Sequence, residues 1–382
     1  MLVLALGGFA IGTTEFVAMG LLPEIASGLD ITEPIAGHAI SAYALGVVVG
    51  APLIGSLAAR VPRKTLLIAL MATFTIGNAA TVLAPGYGVV MVSRFVAGFP
   101  HGAYFGLAAL VAAHLAGHGQ RGKAVGLVWM GLPVANVVGV PVASWLGQNV
   151  GWRSAFALVA VLGLVTIGAI WSGVPSLTRM PVTNPLTELG ALRRTQVWMT
   201  LITGMVSFGG LFAVYTYIST TLTDVSGLPL SLVPLALMVF GFGMITGNLI
   251  GGLLADRALM PGLFATITAF AVALGVFVVA SHNSYTALVL LFCVSAAGTS
   301  IVPGLQTRLM DVAADAQTLA ASLNHSALNI ANAFGAWIGG VVIAAGYGYT
   351  SPAAVGAMLA MAGLVVLAAA VAMERRSVRS AR

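Results

Sequence analysis

Residues 46–60 read GVVVGAPLIGSLAAR, and 197 positions further on residues 243–257 read GMITGNLIGGLLADR. Gly46/Gly243, Gly50/Gly247, Gly55/Gly252, Leu57/Leu254, Ala58/Ala255 and Arg60/Arg257 are identical across the two copies. A second echo lies at an offset of 196, where Ala135-Asn136-Val-Val-Gly139 stands over Ala331-Asn332-Ala-Phe-Gly335. Each copy of the longer repeat is an apolar, glycine-spaced run that ends on an arginine, the pattern of a helix that crosses a bilayer and surfaces at its basic end. The chain therefore reads as two similar halves, each made of such helices.

The composition agrees. Of 382 residues only 16 Lys+Arg and 10 Asp+Glu are charged, 7 % of the chain, against about 25 % in a soluble domain. Hydrophobic residues make up 59 % and the mean hydropathy is +1.03. No aqueous surface can be built around that apolar fraction, so a soluble globular enzyme is excluded. Crossing the hydrocarbon core takes ~20 apolar residues. Runs bounded by Gly, Pro, Asn and charges predict twelve helices, near 2–22, 36–59, 65–84, 88–112, 122–147, 153–173, 197–220, 230–254, 262–281, 285–307, 318–344 and 352–373. These runs are too long for barrel strands and lack their alternation. The longest polar stretch, 174–196, separates a six-helix bundle at 1–173 from a second at 197–382. The expected fold is an all-α polytopic membrane protein of two pseudo-symmetric six-helix bundles.

Orientation follows from charge. Arg60, Arg63, Lys64, Arg121, Lys123, Arg179, Arg193, Arg194, Arg257, Arg308, Arg375, Arg376, Arg379 and Arg382 fall on one side of this topology. Arg153 falls on the other with Glu24, Asp30, Glu33 and Asp224. The basic side is expected to be cytoplasmic, with both termini. The basic residues punctuate hydrophobic runs rather than cluster, so no nucleic-acid partner is expected, and a monomer in the bilayer is. The hydrophobic start has no basic flank, so no cleavable signal is expected. Cys293 is the only cysteine, which leaves no disulfide framework and no cysteine metal site. No metal and no cofactor are expected. Two Lys against fourteen Arg, with abundant Ala and Gly, suggest a bacterial inner membrane.

Two halves that both start on the same side are parallel repeats about an axis along the membrane normal. Such an arrangement puts a substrate cavity between the halves near mid-membrane and gives alternating access by rocking. A channel has no need of two large duplicated halves, so a transporter is the expected class.

Several motifs strengthen that reading. The loop after the second helix, GSLAARVPRK at 55–64, resembles the signature loop of the major facilitator superfamily, with Ala59 in place of its acid and Pro62 in place of a glycine. The second copy, GLLADR at 252–257, keeps the acid as Asp256. Arg94 in MVSRFVAGFPHG resembles the family's fourth-span arginine, and Gly139-Val-Pro141 its fifth-span antiporter motif. The opening GTTEFVAMGLLPEIA and the later GWRSAF are similar to the bacterial efflux branch of YdhP/AraJ-type proteins, sugar exporters and chloramphenicol-resistance exporters. The resemblance covers nearly the whole chain and implies a twelve-span exporter driven by the proton gradient. It also implies a cytoplasmic latch, for which Arg60, Asp256, Arg257 and Arg308 are the candidates. With Ala59 in the first copy, Asp256, with Arg257 or Arg308, is expected to carry that task.

Glu15 and Arg94 both fall inside apolar spans, where a charge costs at least ~2.5 kcal/mol and is usually paired or cavity-facing. Counting ~1.5 Å per residue puts both roughly 20 Å from the cytoplasmic face. Across the repeat they meet Phe212 and Leu291, so the duplicated scaffold does not require them. That asymmetry favours function over a static buried pair. Arginine keeps its proton, which makes Glu15 the candidate proton carrier and Arg94 its electrostatic partner. His101 lies seven residues after Arg94, on about the same helical face. It is a candidate for the cavity or for proton transfer, or an ordinary buried histidine. Asn136, Tyr215, Asn248, His325, Asn329 and Asn332 are further cavity candidates, with helix-joining as the competing role of the amides.

One decoy is set aside. GHGQRGKA at 117–124 nearly spells a phosphate loop, but Ala124 stands where Mg²⁺ needs Ser or Thr and no strand precedes it. An intramembrane enzyme would need a nucleophile and base, or a ligand cluster, and no HExxH or Gly-x-Ser-x-Gly pattern supplies one. Proton-coupled import of a small solute remains the alternative to export.

Overall fold

In a computed structural model, residues 1–57, 61–116, 126–175, 193–313 and 317–380 are described, and they are helical nearly throughout. Arg60, the loop 117–125 and most of 174–196 lie outside the described residues. Eleven helices among the described residues are long and apolar enough to cross a bilayer. They are Leu2–Gly20, Glu33–Ala51, Arg63–Leu83, Tyr87–Ala112, Gly126–Val150, Trp152–Gly173, Thr195–Thr216, Leu230–Ala280, Ser284–Ala313, Leu323–Ala344 and Ser351–Arg375.

One of these contains two spans. The helix Val233–Ala280 has 48 residues, about 72 Å at ~1.5 Å per residue, more than twice a ~30 Å core. It breaks at Ala258, where φ is −159° and ψ is 72°, three residues before Pro261. Proline has no N–H for the carbonyl four residues earlier, here that of Arg257, and its ring crowds that carbonyl. The eighth and ninth spans expected from sequence are thus the two arms of this helix, and the passes number twelve. The tenth and twelfth helices run further than expected, because their polar ends stay helical past the apolar run.

The chain forms two compact units: Met1–Thr183 with Thr216–Thr223 and Leu228–Gly241, and Asn184–Tyr215 with Asp224–Gly227 and Phe242–Arg382. In the first, the second and fourth spans approach at Gly46, Gly50 and Gly98. A methyl group on Gly46 would strike the Phe95 carbonyl, one on Gly50 the Phe99 carbonyl, and one on Gly98 the Tyr43 carbonyl. In the second unit, a methyl on Gly243 would lie 2.7 Å from the Phe292 carbonyl oxygen, and one on Gly247 would strike the Ala296 carbonyl. Phe95 and Phe292, like Phe99 and Ala296, are again 197 positions apart. The sequence repeat is therefore a repeat of helix packing.

Burial follows the same rule. The first and seventh spans are the most enclosed, each 72 % buried, and the sixth and twelfth among the least, at 33 % and 28 %. Large apolar side chains such as Leu83, Leu164, Trp171, Val279 and Met358 stand exposed on the outer helices. In water such a surface would aggregate; in lipid it is the matching solvent.

Within the first unit the first and fifth spans also run in contact through small residues. A methyl on Gly12 would lie 2.9 Å from Ala135 Cβ, and one on Gly131 2.7 Å from the Phe9 nitrogen. The fifth span widens to a π-turn over Ala135–Gly139, directly before Val140 and Pro141. Proline withholds its N–H from the preceding turn, and such wide turns often mark functional positions.

Candidate functional site

The first span carries Gly-Thr-Thr-Glu at 12–15 in the core of its unit. Thr13, Thr14, Glu15 and Arg94 are all buried, Glu15 at 5 % exposure and Arg94 at 1 %. Arg94 donates from one terminal nitrogen to Thr14 Oγ1 at 2.9 Å and from the other to the Thr14 carbonyl at 3.0 Å. The Thr14 hydroxyl in turn donates to Asn78 Oδ1 of the third span at 2.5 Å. A hydroxyl has one proton and two lone pairs, so it holds both partners at once. The guanidinium also faces two rings, Tyr43 at 4.6 Å and Phe156 at 5.1 Å, and cation–π attraction is strongest where water is excluded. Four spans beside its own, the first, second, third and sixth, thus contribute to fixing one cation.

The first and fourth spans therefore meet at Thr14 and Arg94. The arginine is anchored on Thr14, the residue before the acid. Thr14 and Asn78 were not singled out in the sequence. Their signal was available: each is a hydrogen-bonding residue in the middle of an apolar run.

His101 is 1 % exposed and sits 3.0 Å by Nδ1 from the Tyr43 hydroxyl, so it belongs to the same cluster. Asn136 lies in the π-turn packed on the first span. Its Nδ2 donates to the Leu132 carbonyl at 3.2 Å, and its buried Oδ1 has no hydrogen-bond partner among the described residues. The other cavity candidates lie in the second unit. Tyr215 and Asn332 are fully buried, Asn248 is half-buried and donates to the Met244 carbonyl, and Asn329 donates to the carbonyl of His325. Asn324 bridges the tenth and eleventh spans through Gln306 Oε1 at 2.7 Å, which is the helix-joining role.

Arg308 makes a two-pronged ion pair with Glu374 of the twelfth helix, 2.6 Å at its shorter contact. Asp256 and Arg257 are both exposed. Glu374 escaped notice because it sits among the terminal charges, where sequence alone marks no single partner. Among the described residues, no group of three or more His, Cys, Asp or Glu residues is placed to hold a metal.

A separate carboxylate lies beyond the first span. Glu24, in the short helix Leu22–Gly28, has both carboxyl oxygens buried. Burial raises its carboxyl above the ordinary value, against the opposing pull of a backbone hydrogen bond and with a smaller push from the charge of Glu33. Glu33 itself accepts from the Thr220 hydroxyl at 2.5 Å. The folded state therefore holds the Glu24 proton more tightly than the unfolded chain. Stability should fall as pH rises through the interval above the ordinary carboxylate range, with the penalty fully present at higher pH. Glu24→Gln is expected to raise the melting temperature at pH 8 by about 2 °C and to have no effect near pH 3. A melting series of both proteins against pH checks this, and a loss of stability at pH 8 would refute it.

The architecture is that of a polytopic membrane transporter built from two repeated helical halves. The chain belongs to the Major Facilitator Superfamily, whose family model matches residues 4–275. It is a transporter and not an enzyme. It is 41 % identical over 371 residues to the inner membrane transport protein YdhP of Escherichia coli K12, covering 96 % of this chain and 94 % of that one. It is 32 % identical over 379 residues to a chloramphenicol resistance protein of Streptomyces lividans, covering 98 % and 95 %. Among solved structures it is similar to a D-xylose-proton symporter, with a TM-score of 0.77 at 19 % identity and 96 % of each chain covered, a likeness of fold.

Proposed function

We propose that this transporter exports small organic solutes across a bacterial inner membrane in exchange for protons. The observation that carries the reading is the buried Glu15–Arg94 cluster, a carboxylate and a fixed cation where the duplicated scaffold has neither. A carboxyl in a partly dry site is pushed towards the neutral form by lost hydration and towards the charged form by a nearby guanidinium. Changes in hydration during alternating access move that balance, so one group can load and release a proton in turn. Glu15 is the carrier. Arg94, immobilised on Thr14, is the partner that substrate binding acts upon.

Export is favoured over import by one relative, which is named a chloramphenicol resistance protein. The polar candidates Asn136, Tyr215, Asn248, His325, Asn329 and Asn332 join few charges beyond Glu15, Arg94 and His101, a set that suits neutral or weakly polar solutes of drug or sugar type. The moving bodies are 1–173 and 197–382, joined by 174–196, with both termini cytoplasmic and the protein monomeric. Arg60, Asp256, Arg257 and Arg308 gate the cytoplasmic side, the last through Glu374.

The test is solute-induced proton movement in proteoliposomes holding a pH-sensitive dye, with chloramphenicol, isopropyl thiogalactoside and arabinose as probes. Antiport predicts that at least one probe drives proton counterflow in the wild type and none does in Glu15→Gln. Protons moving with the solute would establish symport instead. Full exchange in Glu15→Gln would remove the carrier assignment.

A further inference from the structure

The bond between Tyr43 and His101 has no part in the mechanism above. Their hydroxyl and Nδ1 lie 3.0 Å apart, and each side chain is 1 % exposed. Through its ring face Tyr43 also touches Arg94, whose guanidinium lies 4.6 Å from the ring centroid. The residue that bonds His101 is thus also the one that faces Arg94, the partner assigned to Glu15. Seven residues, about 10 Å at ~1.5 Å each, separate His101 from Arg94 along the fourth span. The imidazole is held in place by Phe105 at 5.3 Å, which stacks on Trp129 at 5.1 Å.

The chemistry of the bond is reversible in direction. A phenol both donates and accepts, and each imidazole nitrogen does either, according to the tautomer. With neutral His101 carrying its proton on Nε2, the hydroxyl donates to Nδ1. A proton that reaches the Tyr43 oxygen from the side of the Glu15–Arg94 pair sends the hydroxyl's own proton to Nδ1. The imidazolium then releases a proton from Nε2, and exchange with water restores the first tautomer. One proton enters, one leaves, and neither side chain changes its net charge over the cycle.

We propose that His101 is a second protonation station for the coupling ion, linked to Glu15 through the Tyr43 hydroxyl and displaced two helical turns along the fourth span. The proposal rests on the reading of Glu15 as the proton carrier. The other ionisable groups near the station do not compete for it. Tyr104, on the same helix, gives its hydroxyl to the Leu4 carbonyl at 3.0 Å. The second span carries Glu33 and His38 near its start, bonded to Thr220 and Tyr87; the third brings only Arg63 and Lys64, at its start, and the fifth none between 126 and 150.

The test needs no substrate. Protein labelled with ¹⁵N-histidine in lipid nanodiscs is titrated from pH 4 to pH 9, and the His101 signal is identified by its loss in His101→Gln. It is expected to titrate within that range, with a midpoint that moves by about half a pH unit or more in Glu15→Gln, as coupled sites do. Tyr43→Phe keeps the ring against Arg94 and removes only the hydroxyl. In that background the Glu15→Gln displacement should vanish. A His101 that does not titrate, a midpoint indifferent to Glu15, or a displacement undiminished in Tyr43→Phe each overturns the relay. Because transport plays no part in this readout, coupled exchange lost in Glu15→Gln alongside an indifferent His101 would sink the relay and leave the carrier standing.

Discussion

Arg94→Lys is expected to slow pH-driven solute movement ~10–100-fold while the protein still folds and inserts. The substitution keeps the positive charge, so a role as a mere counter-charge would leave transport nearly intact. What it removes is the fork. Arg94 spans the Thr14 hydroxyl and the Thr14 carbonyl with two different nitrogens while its plane faces Tyr43 and Phe156. A single ammonium cannot meet both oxygens and present a flat face to two rings. Hydrogen bonds to a charged donor are worth about 1.5–3 kcal/mol each, and one such bond is about ten- to a hundredfold in an equilibrium. Initial rates of probe uptake into everted vesicles, corrected for the amount of folded protein, give the measurement. Lysine rates within twofold of the wild type would show that charge alone suffices. Asn78→Ala should follow in milder form, since Asn78 holds the hydroxyl on which the guanidinium rests.

The sequence disclosed the fold more fully than the site, for a physical reason. Spans are long apolar runs, and each needs only its own composition to be seen. The two arms of the broken helix were visible as separate runs at 230–254 and 262–281, and the two halves through the offset of 197. Glu15 and Arg94 stood out because a charge in an apolar run is costly. Their surroundings did not stand out. Thr14, Tyr43, Asn78 and Phe156 come from four different spans, and no periodicity within one helix says which residue of another it will touch. The same blindness hid Glu374, 66 positions from Arg308. The glycines at 46, 50, 243 and 247 read only as a generic pattern for close approach; that their partners repeat with the same offset required the packed structure.

Those glycines carry the other large effect. Gly50→Ala and Gly247→Ala should each lower the melting temperature of the purified protein by roughly 5–10 °C, and by similar amounts. The equality is the distinctive part. On each glycine the added carbon would collide with a backbone carbonyl of the facing span, Phe99 for one and Ala296 for the other. No rotamer change relieves a clash with backbone, so the two helices must separate and lose the contacts that flank the glycine. Separation matters more in a membrane than in water, because lipid tails are as apolar as the side chains and helix association depends on close packing. Gly168→Ala and Gly275→Ala are the controls, since a methyl at either position has open space within 4 Å. They should leave stability unchanged or raise it slightly, as alanine favours the helix by about 0.5–1 kcal/mol over glycine. A Gly50→Ala protein that melts with its controls would mean that the second and fourth spans are not in backbone contact there. A large effect at Gly50 with none at Gly247 would show that the two halves, although they share the motif, do not share the packing.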